Sequence, residues 1–496
     1  MNIPFMREAK YAVLVLMLCL QCLLAAAQTI EWSPPQKQRG RTNYTRILGA
    51  NSTGYYVLRC RNRDFSKDVY LERYKGSLTI DFSRELLIGN KSRFENIVLY
   101  EGGLLLLKSM ENQQTNKIEL LSTKVDENGI AGTTWVKIDE TPKKSGNDIG
   151  DFTVVPSTNK SLLVASHTEY GSNNQSVLVI TVFNPQQQQV LTRKFDLEYN
   201  YENLRYKELQ IDDYGNVYFS TSFTNTTKKK NTPERKEHAM YAYFKDADKL
   251  TKYKLNEGNY YVNDFSFGIN YVKKCLTVCG YYSSTNEEYV GGTFLYNISI
   301  DSGAVFFHKF QELDKGVVSK MVGEREATKR PELSNIQMSK LILRSDGGMV
   351  MVGENVYTTQ QTYTYYVNGV PQYSYRSVYN YDDIMVISLD PDGKSEWFEV
   401  IRKKQSSMND EGYFSSFSMI AVKDKMHFLY NDNSRGNADV VDVTINNLGQ
   451  REKNTLLNSK NTYALIVPSE GKLVSYNTLL LSANKDKQFS LLKISF

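Results

Sequence analysis

The chain has 496 residues and a formal net charge of +5 at pH 7, a mild excess for this length that does not favour nucleic acid as a partner. Aromatic residues make up 12% of the chain and include 35 tyrosines, whereas only 11 prolines occur. This composition favours strands over helices.

The first 27 residues are predicted to be a signal peptide and not part of the fold. Arg7 and Lys10 give a positive start, residues 11–20 form an apolar run, and three alanines at 25–27 supply a small-residue cleavage site. The apolar run is too short for a comfortable membrane span, and no later segment is apolar enough to cross a bilayer. We therefore expect an exported protein, periplasmic, cell-surface or extracellular, with a mature chain of residues 28–496.

Short hairpins recur along the mature chain, each with a polar or glycine turn between two apolar-rich runs. Eight copies of a first hairpin lie at 46–60, 94–110, 151–166, 207–222, 263–280, 338–353, 416–431 and 463–479. A second hairpin follows the first seven, at 69–86, 118–138, 177–197, 240–255, 293–310, 384–401 and 439–457. After the eighth copy only the run 489–496 remains. The pattern predicts repeated units of four strands, A to D, of which the last unit lacks strand D.

The first residues of the mature chain can supply the missing strand. Residues 28–32 read QTIEW and are similar to KSEWF at 394–398, in strand D of the sixth unit. Closing the array in this way removes two exposed sheet edges, which are the main liability of a repeated β structure. We expect the N-terminal strand to complete the last unit.

These repeats resemble those of β-propellers, and the resemblance covers the whole mature chain. The segments VMVGE (350–354) and DIMVISLDPDGKSEWFEVI (383–401) are similar to repeats of secreted, largely uncharacterised bacterial propellers of the kind common in Bacteroidetes. The resemblance implies an all-β fold with a single propeller of eight four-stranded blades, seven being the alternative count, closed by the N-terminal strand. Two β-sandwiches are the alternative architecture, but they do not explain the incomplete final unit.

The long insertions fall at connections that belong to one face of such a ring. In a four-stranded antiparallel blade, A–B and C–D turns lie on one face, and B–C and D–A connections lie on the other. The long B–C connections are 223–239, 281–292 and 355–383, and the long D–A connections are 140–150, 311–337 and 403–413. Within 311–337, residues 317–329 are predicted to form a short helix that ends before Pro331. Because long loops commonly carry function, we expect this face to be the working surface.

The insertion 355–383 is the most informative of these connections. Its eight tyrosines alternate with other residues around Asn368 and Gly369, which predicts a β-hairpin that projects from the ring. Tyrosine offers a rigid apolar ring with a polar tip, which suits a recognition surface. The candidate binding residues are Tyr357, Tyr363, Tyr365, Tyr366, Tyr373, Tyr375, Tyr379 and Tyr381, with Asp382 and Asp383 where the insertion returns to the sheet. The alternative is that these tyrosines pack on the neighbouring blade.

The sequence gives no clear signature of catalysis. The four histidines fall at unrelated repeat positions without metal-ligand spacing, and neither a phosphate-binding glycine loop nor a GxSxG motif occurs. No metal and no cofactor are therefore expected. Cys60, Cys275 and Cys279 are predicted to be buried thiols, with a bridge from Cys60 to either partner left open.

The function favoured by these features is a secreted or periplasmic binding or scaffold module. Its partner would be a protein or a glycan, contacted through the face that carries the long B–C and D–A connections. The alternative is a carbohydrate-active enzyme that uses carboxylates on the same face, such as Asp382 and Asp383. A purely structural surface protein is the third hypothesis.

Overall fold

Small antiparallel sheets dominate the computed structural model. It describes residues 28–496, except 38–43, 67, 101, 145–149, 225–235, 257, 434–437, 463 and 486–487. The predicted signal peptide, 1–27, lies outside the described residues and stays a prediction. In the part of the chain that the structure describes, no helix is both long enough and apolar enough to cross a membrane.

Seven four-stranded sheets and one five-stranded sheet follow one another along the described chain, and we call them blades 1 to 8. The first strand, β1 (Thr29–Trp32), belongs to blade 8. Blade 1 contains β2 (Tyr44–Asn51), β3 (Gly54–Cys60), β4 (Tyr70–Tyr74) and β5 (Ile80–Glu85). Blade 2 contains β6 (Ser92–Tyr100), β7 (Gly103–Asn112), β8 (Lys117–Val125) and β9 (Val136–Pro142). Blade 3 contains β10 (Thr153–Pro156), β11 (Leu163–Tyr170), β12 (Gln175–Phe183) and β13 (Gln189–Asn200). Blade 4 contains β14 (Leu204–Ile211), β15 (Val217–Thr224), β16 (Lys236–Phe244) and β17 (Lys249–Lys254).

The later blades carry the additions to the repeat. Blade 5 contains β18 (Tyr261–Asn270), β19 (Cys275–Ser283), β21 (Gly292–Ser299) and β22 (Val305–Glu312), with the short β20 (Tyr289–Val290) pairing outside it to β23 (Leu333–Ser334). Blade 6 contains β24 (Ile336–Leu343), β25 (Met349–Val367), β26 (Val370–Leu389) and β27 (Ser395–Ile401), and β28 (Gln405–Met408) also pairs with β26. Blade 7 contains β29 (Ser418–Val422), β30 (Lys425–Asn431), β31 (Val440–Asn446) and β32 (Arg451–Leu457). Blade 8 contains β33 (Ala464–Ser475), β34 (Thr478–Lys485) and β35 (Gln488–Ser495), with β1.

The core lies between neighbouring blades. Many residues of strands B and C are buried on both faces, and the buried leucines 104–107 of β7 form one continuous apolar run. Between blades 3 and 4, for example, Ile180 packs in one cluster with Phe219 and Tyr241. Such faces hold each sheet only against its neighbours, which is the arrangement of a propeller.

The N-terminal strand occupies the predicted place in blade 8. Strand β1 pairs antiparallel with β35, with Thr29 opposite Ser495 and Trp32 opposite Leu492. Blade 8 in turn packs on blade 1, since Leu480 and Leu491 share a cluster with residues of β2 and β3. The all-β propeller fold is therefore confirmed over the alternative of two sandwiches.

The predicted helix in the connection between blades 5 and 6 is present, but it is two helices. Helix α1 (Lys315–Val322) begins where the Asp314 side chain accepts a hydrogen bond of 2.6 Å from the N–H of Gly316. Gly323, at φ 88°, separates it from α2 (Glu324–Lys329) because that backbone conformation ends a helix. Met321 and two valines of α1 are buried against blade 6. Single 3-10 turns occur at Ser172–Asn174 and Tyr201–Asn203.

The cysteines behave as predicted buried thiols. Cys60, Cys275 and Cys279 are all buried, and none of them forms a disulfide. Burial raises the pKa of the Cys275 and Cys279 thiols, so both stay protonated at neutral pH.

Candidate binding surface

The predicted hairpin is present in blade 6. Strands β25 and β26 pair from Met349 opposite Leu389 to Val367 opposite Val370, with one register shift between Glu354 and Val356. They are much longer than the other blade strands. The two-residue turn between them has positive φ at both Asn368 (51°) and Gly369 (78°), the conformation that matches the twist of a tight hairpin. The part of the hairpin that extends beyond the blade projects from one face of the ring. This face carries the B–C and D–A connections, and we call it the loop face.

The upper half of the hairpin, residues 360–377, exposes tyrosines on both of its faces. Directly opposite residues share a face, so Tyr366, Tyr373 and Tyr375 lie on one side, and they are 71%, 62% and 67% exposed. Tyr363 and Tyr365 lie on the other side, which is partly covered: the guanidinium carbon of Arg376 lies 4.3 Å from the ring centroid of Tyr363.

The remaining candidate tyrosines lie in the lower half of the hairpin and are partly buried. The Tyr357 hydroxyl donates a 3.1 Å hydrogen bond to Oδ2 of Asp382. Tyr381 packs on the connection between blades 6 and 7, where a Cβ on Gly412 would come within 2.3 Å of its ring. Burial raises the pKa of both phenols, helped at Tyr357 by the Asp382 charge. Tyr379 is also half-buried. In the lower half, Tyr357 thus contacts its own blade and Tyr381 contacts the connection that follows it, so both rings are less accessible to a partner than those of the upper half.

A buried ion pair anchors the lower half. The Lys403 ammonium lies 2.8 Å from Oε1 of Glu354, and both side chains are almost inaccessible, at 0% and 3% exposure. The same ammonium donates to the carbonyl of Tyr381 at 2.7 Å and to Oε1 of Gln405 at 2.9 Å, while Ser416 donates to Glu354 at 2.6 Å. Burial lowers the pKa of Lys403, and the Glu354 charge opposes that shift. These contacts fix strand β26 to the chain that leaves blade 6.

Strand β28 adds a third strand to the same region. Its residues pair with 378–381 of β26, with Met408 opposite Val378. At its end Asn409, with φ 55°, exchanges two 3.1 Å hydrogen bonds with Ser377: its N–H donates to the carbonyl, and its side-chain oxygen accepts from the N–H. Among the described residues, no strand pairs with this edge of β26 beyond Ser377. The lower half of the hairpin is therefore part of a three-stranded sheet, whereas the upper half is a two-stranded ribbon.

The connection between blades 6 and 7 continues across to blade 1. Glu411 forms a 2.7 Å ion pair with Arg63, which also donates to the carbonyl of Asp410 at 3.3 Å. Tyr413 is buried, and its ring centroid lies 5.0 Å from that of Tyr44, at the start of strand β2. Strand β2 contacts the first strands of blades 2 and 8. The connection therefore lies over inner strands on the loop face.

A basin of about 510 Å³ opens at the foot of the hairpin. It lies between helix α1, the hairpin base and the start of the blade 6–7 connection, and its charged lining residues are Asp382, Asp383, Arg402, Lys403, Lys404 and Asp432. The Arg402 guanidinium pairs with Asp383 and donates to the carbonyl of Met321 at 3.0 Å. The Lys403 N–H donates to the other Asp383 oxygen at 3.1 Å. The structure thus brings Asp382 and Asp383 into one basin, but both oxygens of Asp383 already have partners.

A second basin of about 640 Å³ adjoins the first and shares Ser334 and Ile336 with it. Its lining includes six charged residues, among them Lys207, Asp264 and Glu287. Asp264 accepts 3.0 Å bonds from the Lys207 ammonium and from the N–H of Met338. Neither basin could be predicted from the sequence, because each is assembled from several connections.

The histidines of the described chain do not build a reactive site on the loop face. His427 bonds Asp442 at 2.9 Å within blade 7, and His167 lies 3.2 Å from Asp139 between blades 2 and 3. Burial lowers the pKa of His238 to about 3, so this ring is neutral. Among the described residues, no group of three or more His, Cys, Asp or Glu side chains could hold a metal ion.

Comparison with known proteins adds only distant likenesses. No family model matches the chain, and no curated protein matches it in sequence. Prolyl oligopeptidase B from Galerina marginata is 8% identical with a TM-score of 0.40, over 89% of this chain and 55% of that one. The WD40 domain of SCAP from fission yeast is 8% identical (TM-score 0.39, covering 95% and 98%), and the β-propeller domain of the Trilobed protease from Pyrococcus furiosus is 9% identical (0.35, covering 87% and 97%). At these scores the likenesses carry no argument about function, and the fold assignment depends on the sheet topology above.

Proposed function

We propose that this chain is an exported β-propeller binding or scaffold module that contacts a protein or glycan partner through its loop face. One observation carries the proposal: Tyr366, Tyr373 and Tyr375 stand on one side of the upper hairpin, each more than half exposed. Aromatic side chains gathered on an exposed surface are typical of interaction sites, because they bury much area when a partner covers them.

The anchored base supports this proposal. The Glu354–Lys403 pair and strand β28 hold the lower half in one position, so the upper half starts from a fixed point. Presenting contact residues on a regular strand pair reduces the conformational entropy lost on binding. The two charged basins beside the base offer polar contacts for the periphery of the same partner.

The experiment compares two faces of the ring. A triple variant, Tyr366→Ser, Tyr373→Ser and Tyr375→Ser, removes the exposed rings without touching the base. The matched control is Tyr214→Ser with Tyr476→Ser, since these rings are 60% and 82% exposed in A–B turns on the opposite face. Each protein is applied to a glycan array and used as bait on the exported fraction of the source organism.

We expect the triple variant to lose wild-type partners and the control to keep them. Equal retention by both variants, with unchanged circular dichroism, would remove the tyrosine face from the proposal. A shorter hairpin, with 362–375 replaced by Asn-Gly between the paired residues Gln361 and Arg376, repeats the test while keeping the pairing of β28 with β26.

A carbohydrate-active enzyme is a second candidate on one observation: three carboxylates, of Asp382, Asp383 and Asp432, line one basin. The Arg402 partner of Asp383 counts against that carboxylate as a free acid or base. Polysaccharides incubated with wild type, Asp382→Asn and Asp432→Asn would decide the matter through new reducing ends or unsaturated products. If the chain is a binding module, neither new reducing ends nor unsaturated products appear with wild type or with either variant.

A further inference from the structure

The outermost strands of the blades share a feature that the hairpin lacks. Each of the eight carries at least one charged side chain: Glu31, Asp81, Lys137, Arg193, Lys252, Lys309, Glu396 and Lys453 are examples. Charged residues on an edge strand discourage pairing with another chain, because they would be desolvated or meet like charges there. The blades are therefore protected against edge-to-edge association.

The free edge of the hairpin has no such protection. The sequence from Asn355 to Tyr375 contains no charged residue, and 358–367 are all exposed. Above Asn355, which pairs with Ile336, the only described strand that pairs with β25 is β26. A long, exposed and uncharged edge strand is a ready template for strand addition.

The backbone groups of this edge point outward at alternate residues. Ser377 directs its N–H and carbonyl away from β25, toward Asn409, and Gln360 is the residue opposite Ser377. In an antiparallel pair, when one residue directs its backbone N–H and carbonyl away from the partner strand, the residue opposite does the same. Gln360 therefore presents its backbone N–H and carbonyl to the free edge. Val356, four positions earlier, shows the same direction by donating to the carbonyl of Asn335 at 2.8 Å.

Backbone groups point to the same edge at every second residue of a strand. The residues that share this direction with Gln360 are Thr358, Thr362, Thr364 and Tyr366. The opposite edge of the ribbon is less open, because Asn409 ends the pairing at Ser377 and Pro371 has no N–H to donate. Only one long edge of the upper hairpin is thus fully available.

We propose that this edge pairs antiparallel with the same edge of a second copy of the chain, about a two-fold axis at Thr362. Thr362 is the centre of the outward-pointing residues, so this register places Gln360 opposite Thr364 and Thr358 opposite Tyr366. Each pair joins two residues whose backbone groups both point outward, as hydrogen-bonded pairs require. The two ribbons become one four-stranded sheet.

A second copy fits this edge because the segment has no charge. Self-pairing of the blade edges would set like charges near one another, whereas the hairpin edge meets itself without that penalty. The two-fold arrangement also closes the assembly at two copies. Both sets of Tyr366, Tyr373 and Tyr375 come to lie on one continuous face, since opposite residues share a face. This dimer goes beyond the proposed partner binding and is independent of it.

The test measures self-association of the mature chain by analytical ultracentrifugation over a range of concentrations. Wild type is expected to shift from monomer to dimer. Thr362→Lys and Thr362→Glu each place like charges directly opposite on the axis, so each is expected to stay monomeric where the wild type is dimeric. An equimolar mixture of the two variants is expected to form a mixed dimer.

The control is Ser374→Lys, which adds the same charge to the hairpin on β26, away from the edge, and should leave the dimer intact. Wild type that stays monomeric at every concentration overturns the proposal, and so does a dimer that Thr362→Lys leaves unchanged. Failure of the two variants to recombine overturns the register at Thr362. The serine triple variant keeps the backbone edge, so it can lose partners and still dimerise, and the two proposals fail separately.

Discussion

The two halves of the tyrosine hairpin are formed by the same two strands but have different surroundings. The lower half is fixed to the chain that leaves blade 6 by a buried ion pair and a third strand, and that chain is joined to blade 1 by a further ion pair. In the upper half, the rings of Tyr366, Tyr373 and Tyr375 are mostly in solvent. The comparison shows that one compositional feature, a run of alternating tyrosines, serves as scaffold at one end and as available surface at the other.

The largest expected effect breaks the anchor of the lower half. Lys403→Met leaves the Glu354 carboxylate buried and unpaired, so we expect the free energy of unfolding to fall by about 3–5 kcal/mol. Lys404→Met is the matched control, because this neighbouring lysine is exposed and should cost less than about 0.5 kcal/mol. Chemical denaturation measures both. Equal stability of the two variants would show that the ion pair does not anchor the hairpin.

A smaller effect is expected from two glycines with positive φ, one in each region. Gly412→Ala drives a Cβ to 2.3 Å from the Tyr381 ring at φ 72°, whereas Gly369→Ala, at φ 78° in the turn of the hairpin, meets nothing within 4 Å. We expect Gly412→Ala to lower stability by about 1–3 kcal/mol more than Gly369→Ala, because it adds overpacking to backbone strain. Thermal unfolding provides the measurement. A reversed order would mean that the base is not tightly packed.

A weaker contribution comes from the Tyr357 hydroxyl in the lower half. Tyr357→Phe removes its bond to Asp382, which should cost about 0.5–1.5 kcal/mol, at the lower end because the site is partly exposed. The pKa of this phenol is raised above its usual value of about 10 by burial first and then by the Asp382 charge. Its contribution is therefore complete below pH 10 and is lost as the pH rises through the raised pKa.

The pH dependence separates this bond from a general loss of packing. The difference in stability between wild type and Tyr357→Phe should shrink when urea titrations move from pH 8 to above the raised pKa. The exposed Tyr365 supplies the control, and Tyr365→Phe should match wild type at pH 8. A difference between wild type and Tyr357→Phe that does not change with pH would contradict the assigned bond.

The smallest effect is expected in the upper half. The serine triple variant at 366, 373 and 375 should change the free energy of unfolding by less than about 0.5 kcal/mol, since these rings pack on little. Calorimetry checks this value beside the binding experiment. A loss of several kcal/mol would place the upper half in the scaffold and remove the contrast.

The parts of the molecule that sequence predicted are those encoded by local periodicity. Alternation in TYTYYV and QYSYRSV around Asn368 predicted the hairpin, and the similarity of QTIEW to KSEWF predicted the position of β1. The first pattern specifies a strand pair directly, because side chains on a strand alternate with a period of two. The second depends on the repeat, whose last unit lacked strand D.

The lower half could not be predicted, because its contacts join distant positions. Glu354 and Lys403 are separated by the whole hairpin, and β28 has no alternating pattern of its own. A glutamate directly after the apolar run VMVG was the one local hint, since a buried carboxylate requires a partner. Which tyrosines are covered depends on those same contacts, so the candidate set appeared uniform in the sequence. The split of the helix at Gly323 could have been predicted from the sequence, because glycine favours the positive φ found there.

The pairing of β1 with β35 has a consequence for how the chain reaches its native state. The Ser33 side chain accepts a 2.8 Å bond from the N–H of Leu491, a contact between residues 458 positions apart. Blade 8 therefore cannot form until β35 has been synthesised, and its closure joins residues that are very far apart in sequence, at a correspondingly large cost in loop entropy. A circular permutant that joins Phe496 to Gln28 by a short turn and opens between Lys37 and Tyr44 makes blade 8 contiguous in sequence. This permutant should refold faster and keep the native spectrum, because the order of strands in space is unchanged.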